Sequence, residues 1–115
     1  MYPFGMIRKE LVAASAEPLI LALLSKGESY GYAIIQEIMT RSQNQIEWTD
    51  GMLYPVLHRM ERNGWIKSRW AESEAGRKRK YYSIKKDGKA ALEQHRTEWM
   101  LVHEVLVGLA EERHV

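Results

Sequence analysis

The sequence predicts a mainly α-helical fold with a small β-hairpin wing: a winged helix-turn-helix followed by a C-terminal dimerisation helix. Three observations lead there. Residues 48–66, WTDGMLYPVLHRMERNGWI, read as one short capped helix with an apolar face and a cationic face. Directly after it the apolar period drops to two, around a turn that carries Arg77, Lys78, Arg79 and Lys80 in succession. The last stretch places Leu92, His95, Trp99, Val102, Leu106 and Leu109 at alternating steps of three and four, which is a heptad seam.

In chain order, residues 1–5 form a short arm with Tyr2 and Phe4, aromatics that an exposed tail rarely carries and that suggest packing on a partner. A helical pattern starts at Ile7 and turns apolar on nearly all sides after Pro18, as a buried central helix does. Pro18 either kinks this helix or opens a fresh first turn, and Lys26-Gly27 ends it. Ser29 is placed to cap a second helix, residues 30–41, with Ile34, Ile35, Ile38 and Met39 inward. Gly31 in its first turn implies either a tolerant cap or a close approach to the backbone. Residues 42–45 are turn-like, and residues 46–48 read as a brief strand.

The 48–66 helix takes Thr49 or Asp50 as its N-cap and Gly64 as its left-handed terminus. Leu53, Val56, Leu57 and Met60 form its inward face; Tyr54, His58, Arg59 and Arg62 lie on the other. In the hairpin, Ile66, Ser68 and Trp70 share a face, residues 72–78 turn, and residues 79–84 return. Trp48, Trp65 and Trp70 read as core or hairpin packing. The last helix covers residues 86–112, started by Ser83 as a cap or by Asp87 in its first turn. Its seam and a second stripe of Ala91, Glu98, Leu101 and Val105 exceed what one small domain covers, which points to a homodimer. Residues 1–85 are expected to form the winged helix-turn-helix with its N-terminal helix and residues 86–115 the dimerisation helix, together one structural unit.

Charge narrows the partner. Residues 59–89 hold eleven Lys/Arg against four Asp/Glu, a local +7 inside a chain of net charge +2. A cationic face of this kind suits a polyanion, nucleic acid first. The longest apolar run, residues 18–24, is far below the roughly 20 residues of a membrane span. With no cysteine there is no disulfide framework, thiolate nucleophile or Cys-based zinc site, and a cytoplasmic protein is the simplest account. No phosphate loop, nucleophile elbow or metal-ligand motif suggests an enzyme or a cofactor. His95 and His103 lie about 12 Å apart along one helix and cannot share a metal within a protomer.

Several stretches in this order carry a family resemblance: Tyr30-Gly31-Tyr32; Gly51-Met52-Leu53-Tyr54-Pro55 with Leu57, Arg59, Met60 and Glu61; Gly64 and Ile66; Ser68 and Trp70; and Gly76-Arg77-Lys78-Arg79-Lys80-Tyr81-Tyr82. Over residues 11–109 the chain resembles the PadR family of bacterial transcriptional regulators, in the small form with one terminal helix. The resemblance implies a winged-helix dimer that represses genes and is released by a small molecule. It implies DNA contacts through residues 51–63 and through the wing at residues 76–80. It also implies a dimer-centre pore in which Trp99, with Leu11, Ala14 and His103, takes a planar aromatic effector. The chain departs from the family at Lys85, where a capping threonine is usual, and at Pro18, where an aliphatic residue is common.

The expected function is a sequence-specific transcriptional regulator of double-stranded operator DNA, a repressor released by a small aromatic effector and without a membrane partner. Its candidate DNA contacts are Tyr30, Thr49, Gly51, Tyr54, Pro55, His58, Arg59, Arg62 and the wing residues Arg77, Lys78, Arg79 and Lys80. Tyr54 and Pro55 either fit the helix to a groove or only kink it. Arg59 and Arg62 reach bases or phosphates, or else pair with an acid such as Glu61. His58 is a groove contact or a plain surface histidine. Leu92, His95, Trp99, Val102, Leu106 and Leu109 form the expected dimer interface, where Trp99 is an effector platform or simply an anchor. The alternative function is a small-molecule-binding or protein-interaction module on a winged-helix scaffold.

Overall fold

A computed structural model describes residues 7–112, so the expected packing of Tyr2 and Phe4 lies outside the described residues. The apolar run after Pro18 forms the second half of α1 (Lys9–Leu24), which buries Ala16, Ile20, Leu21 and Leu24 at 1% exposure or less. The helix continues through Pro18 as one element, so no fresh turn opens there. It ends in a turn in which Lys26 and Gly27 donate backbone N–H groups to Leu23 and Leu24, with Gly27 at φ 149°.

The next segment corrects the sequence reading. Ser29 does not cap a helix; Ser29–Tyr30 is a two-residue strand, β1, paired with Tyr82 and Tyr81. Tyr30 occupies the N-cap position of α2 (Gly31–Arg41), with no side-chain cap. Both assignments require an extended backbone before the helix, so a residue suited to capping and a strand end look alike in sequence. Ile34 and Ile38 are buried, and Ile35 packs half-buried against the same core.

Residues 46–48 are irregular and not the expected strand. Gln43 and Asn44 take positive φ, the Asn44 N–H bonds the Met39 carbonyl at 2.8 Å and the Ile46 N–H bonds the Ser42 hydroxyl. The segment thus winds inward to bury Trp48 at 3% exposure, and the third place in the sheet goes to β1.

Thr49 is the N-cap of α3 (Asp50–Arg62), its hydroxyl accepting the Met52 N–H at 3.2 Å. Gly64 closes the end at φ 77°. The inward face Leu53, Val56, Leu57 and Met60 is buried as expected. β2 (Ile66–Glu72) and β3 (Lys78–Ile84) pair antiparallel from Ile66↔Ile84 to Glu72↔Lys78. With β1 they make a three-stranded antiparallel sheet in the order β1-β3-β2. Ile66 and Tyr82 close the core on the side facing α3, whereas Trp70, expected to pack, is 66% exposed because the core ends before its pair.

Lys85, with no side-chain cap, precedes α4 (Lys86–Glu111), and Asp87 stands in its first turn. Gly88 holds α4 down: a Cβ there would overlap the Trp65 carbonyl and stand 2.8 Å from Ile84 Cγ1. Leu92 therefore sits in the chain's own core at 3% exposure, which corrects its assignment to a dimer interface. His95 also turns inward, edge-on to Trp65 with ring centroids 6.5 Å apart. From Trp99 onward α4 leaves the domain, and Met100, Leu101, Val102, Val105, Leu106 and Leu109 are each more than half exposed.

Gly88→Ala should lift the first turn of α4 from the Trp65 carbonyl and cost about 1–3 kcal/mol. Urea unfolding would show a lowered midpoint; an unchanged midpoint contradicts the close approach.

Candidate nucleic-acid interface

Helical periodicity sorts the outer side of α3 into three zones. Gly51, Pro55, His58 and Arg62 lie opposite the buried face and are exposed. Tyr54 and Glu61 flank them toward the sheet: the Glu61 carboxylate accepts the Ser68 hydroxyl at 2.7 Å and lies 3.9 Å from Lys80 Nζ. Arg59 flanks them on the α1 side, donating from Nε to Glu17 at 2.9 Å. The other Glu17 oxygen lies 3.9 Å from His95 Nε2.

Tyr54 explains Gly31. Its phenol lies over the first turn of α2, so a Cβ on Gly31 would overlap the hydroxyl and stand 2.9 Å from Cζ. Of the two sequence readings of this glycine, close approach is the one realised. Between Tyr54 and the wing opens a cleft of about 590 Å³ that brings together seven of the candidate contacts: Tyr30, Tyr54, His58, Arg77, Lys78, Arg79 and Lys80. Thr49, Gly51, Pro55, Arg59 and Arg62 lie outside it along α3. Tyr32 and Trp70 also line it, 67% and 66% exposed, and sequence reasoning included neither among the contacts. The sequence signal there lies in the basic side chains, and Trp70 reads as hairpin packing.

The wing turn is tight. Ser73 accepts the Arg77 and Gly76 N–H groups through its hydroxyl and carbonyl respectively, and its own N–H bonds the Arg77 carbonyl at 2.7 Å. Gly76 supplies φ 79°. Among the described residues Arg62, Arg77 and Lys78 have no carboxylate within salt-bridge distance. Arg79 lies over the Tyr30 ring at 4.4 Å and Arg69 over Tyr81 at 5.2 Å. Arg69 also donates to Glu28, and this hydrogen bond holds the Glu28 carboxyl below its usual range and raises the Arg69 guanidinium. Cations without a carboxylate partner among the described residues thus include Arg77 and Lys78 at the tip of the wing and Arg62 on the outer face of α3.

Comparison with known proteins agrees with this geometry. Residues 20–94 match the family model for the transcriptional regulator PadR-like family. The chain belongs to the PadR-like family of transcriptional regulators. An uncharacterized protein of Lysinibacillus sphaericus is 35% identical over 101 residues, covering 88% of this chain and 93% of that one. The structure of a transcriptional regulator from Clostridium thermocellum superposes with TM-score 0.81 at 31% identity, covering 90% and 97% of the two chains. A PadR family transcription regulator from Clostridium difficile gives TM-score 0.71 at 32% identity, over 84% and 98%. The protein is accordingly a winged-helix member of a family of transcriptional regulators, which implies regulation through DNA binding.

This PadR-like chain has a second recess at the root of α4. It measures about 270 Å³ and is lined by Ser15, Pro18, Leu19, Ala22, Leu92, His95, Arg96 and Trp99. Of the residues expected to take an effector, Trp99 alone lines it; Leu11, Ala14 and His103 are exposed outside it. No helix among the described residues is long and apolar enough to cross a membrane, and no group of three potential metal ligands occurs among them.

Two substitutions test the packing beneath the cleft. Gly31→Ala should push the Tyr54 ring out and lower the thermal midpoint by an amount worth about 1–3 kcal/mol. Tyr82 is wholly buried with its hydroxyl unpartnered, and burial pushes that phenol up to about 12. Because the folded state holds this proton more tightly than the unfolded chain, stability should fall as pH rises from about 10 to 12. Tyr82→Phe should flatten that fall in alkaline unfolding measurements relative to the parent; equal slopes would refute the assignment.

Proposed function

We propose that this PadR-like regulator is a repressor that binds operator DNA as a homodimer and is released by a small aromatic molecule. The observation that carries the reading is the division of the surface: unpaired cations on α3 and the wing, and a bare apolar stripe on α4. In this reading α3 enters the major groove, with Gly51, Pro55, His58 and Arg62 toward the base edges and Thr49 at its capped start. Tyr30, Tyr54, Arg77, Lys78, Arg79 and Lys80 hold the backbone. Arg59, already bonded to Glu17, serves best as a phosphate contact at the margin.

The stripe Trp99, Val102, Leu106 and Leu109 is the proposed dimer surface, since exposed side chains of this size on one helix face favour association. A two-fold partner then sets two copies of α3 about 34 Å apart, one turn of B-DNA. The effector is proposed to lie on Trp99, with Leu11, Ala14 and His103 closing the site once a second copy is present. Glu17 supports a response to that ligand, because one carboxylate stands between His95 at the recess and Arg59 on α3. A regulator acting on chromosomal DNA works in the cytoplasm.

Replacing Arg77 and Lys78 together by alanine should weaken binding to every duplex and lower the salt slope by roughly two. Fluorescence anisotropy across a salt series measures this, and an unaltered slope excludes the wing contact. Val102→Glu with Leu106→Glu should yield monomers in sedimentation and abolish binding to paired half-sites while far-UV dichroism of the domain persists. A variant that stays dimeric rules out the stripe as the interface.

A further inference from the structure

Trp70 has no packing role that accounts for its position. It shares the inner face of the hairpin with Ile66, Ser68, Lys80 and Tyr82, and the first and last of these are core or part of it. Two residues further along the strand the core has ended, and the indole stands 66% exposed at the mouth of the cleft between α3 and the wing. A bare tryptophan beside Tyr54, His58, Lys78 and Lys80 is an apolar wall next to hydrogen-bond donors and cations, and no carboxylate among the described residues lines the cleft.

Resting on the DNA-binding reading above, we infer that this cleft seats one sugar-phosphate strand and that Trp70 is its wall. A duplex that receives α3 in its major groove and the wing in the adjoining minor groove must pass the strand separating the two grooves between them. The space between α3 and the wing is this cleft. There the indole face packs on deoxyribose, Nε1–H donates to a phosphate oxygen, the Lys80 ammonium meets the same strand from beside the indole, and the Tyr54 hydroxyl meets it from α3. Sugar and phosphate carry no sequence, so Trp70 is a positioning contact that fixes where α3 sits and reads no base. Its charge is zero, so it leaves the count of released counterions unchanged.

The test compares the parent with Trp70→Ala and Trp70→Phe in the full chain. The probes are a genomic duplex isolated by binding and a random duplex of equal length. Trp70→Ala should lose about tenfold in affinity for both, with the salt slope and the thermal midpoint unchanged, and Trp70→Phe should fall between. Equal affinity of Trp70→Ala and parent overturns the inference and leaves the DNA-binding reading standing. A loss confined to the genomic duplex overturns it too, because Trp70 would then read bases. A parent that binds neither duplex in a salt-dependent way removes the DNA-binding reading itself. As a check without a change at the site, acrylamide quenching of the parent chain should decrease when duplex is added, and this decrease should be absent in Trp70→Phe. Unchanged quenching in a chain that binds counts against the seat.

Discussion

The burial of one face of α3 is the constraint on which the rest of the molecule depends. Leu53, Leu57 and Met60 have no exposed surface, and α1, α2 and the sheet all converge on them. A helix held by four apolar side chains over about two turns cannot rotate about its own axis without opening the core. Its outer face is fixed by its inner one. The neighbours are adjusted to that orientation: Gly31 has no side chain because Tyr54 occupies the space, and Gly88 has none because the end of α3 delivers the Trp65 carbonyl there.

Cations in this chain fall into two groups with different work. Arg59 and Arg69 are bonded to the chain's own carboxylates, as surface pairs that contribute little to stability individually. Arg62, Arg77 and Lys78 have no such partner among the described residues. Sequence counting merged these groups into one local charge of +7 and so overstated how much of it is free of a carboxylate of the chain itself. The structure divides it by partner.

Most of the architecture was legible because period and caps are local. The helical period of the last segment, the switch to period two, the cap at Thr49 or Asp50 and the terminus at Gly64 each act within a few residues, and the structure has a helix, a hairpin, Thr49 and Gly64 there. What escaped reading depended on partners distant in sequence. β1 is two residues long and exists only through its pairing with Tyr81 and Tyr82, some fifty positions away, so no alternation announces it. Leu92 continues the seam in sequence, yet the clamp at Gly88 draws it into the domain core, and heptad spacing alone carries no sign of where a helix leaves its own fold. Trp70 was misplaced for the related reason that a strand's inner face can extend past the core it serves. Of the proposed DNA contacts, the sequence supplied the wing and the helix face; the cleft joining them required the third dimension.

The glycine clamp has a geometric consequence. Residues 99–111 of α4 extend past the domain for about 20 Å, as a rod fixed at one end. A tilt of about 10° at the clamp moves the far end, about 35 Å away, by about 6 Å, nearly two of the 3.4 Å steps between base pairs. In a dimer joined through this rod, a methyl group at position 88 would shift the two α3 helices relative to each other by an amount comparable to one or two base pairs. Operator spacing would then be written at a residue that touches neither DNA nor the second copy.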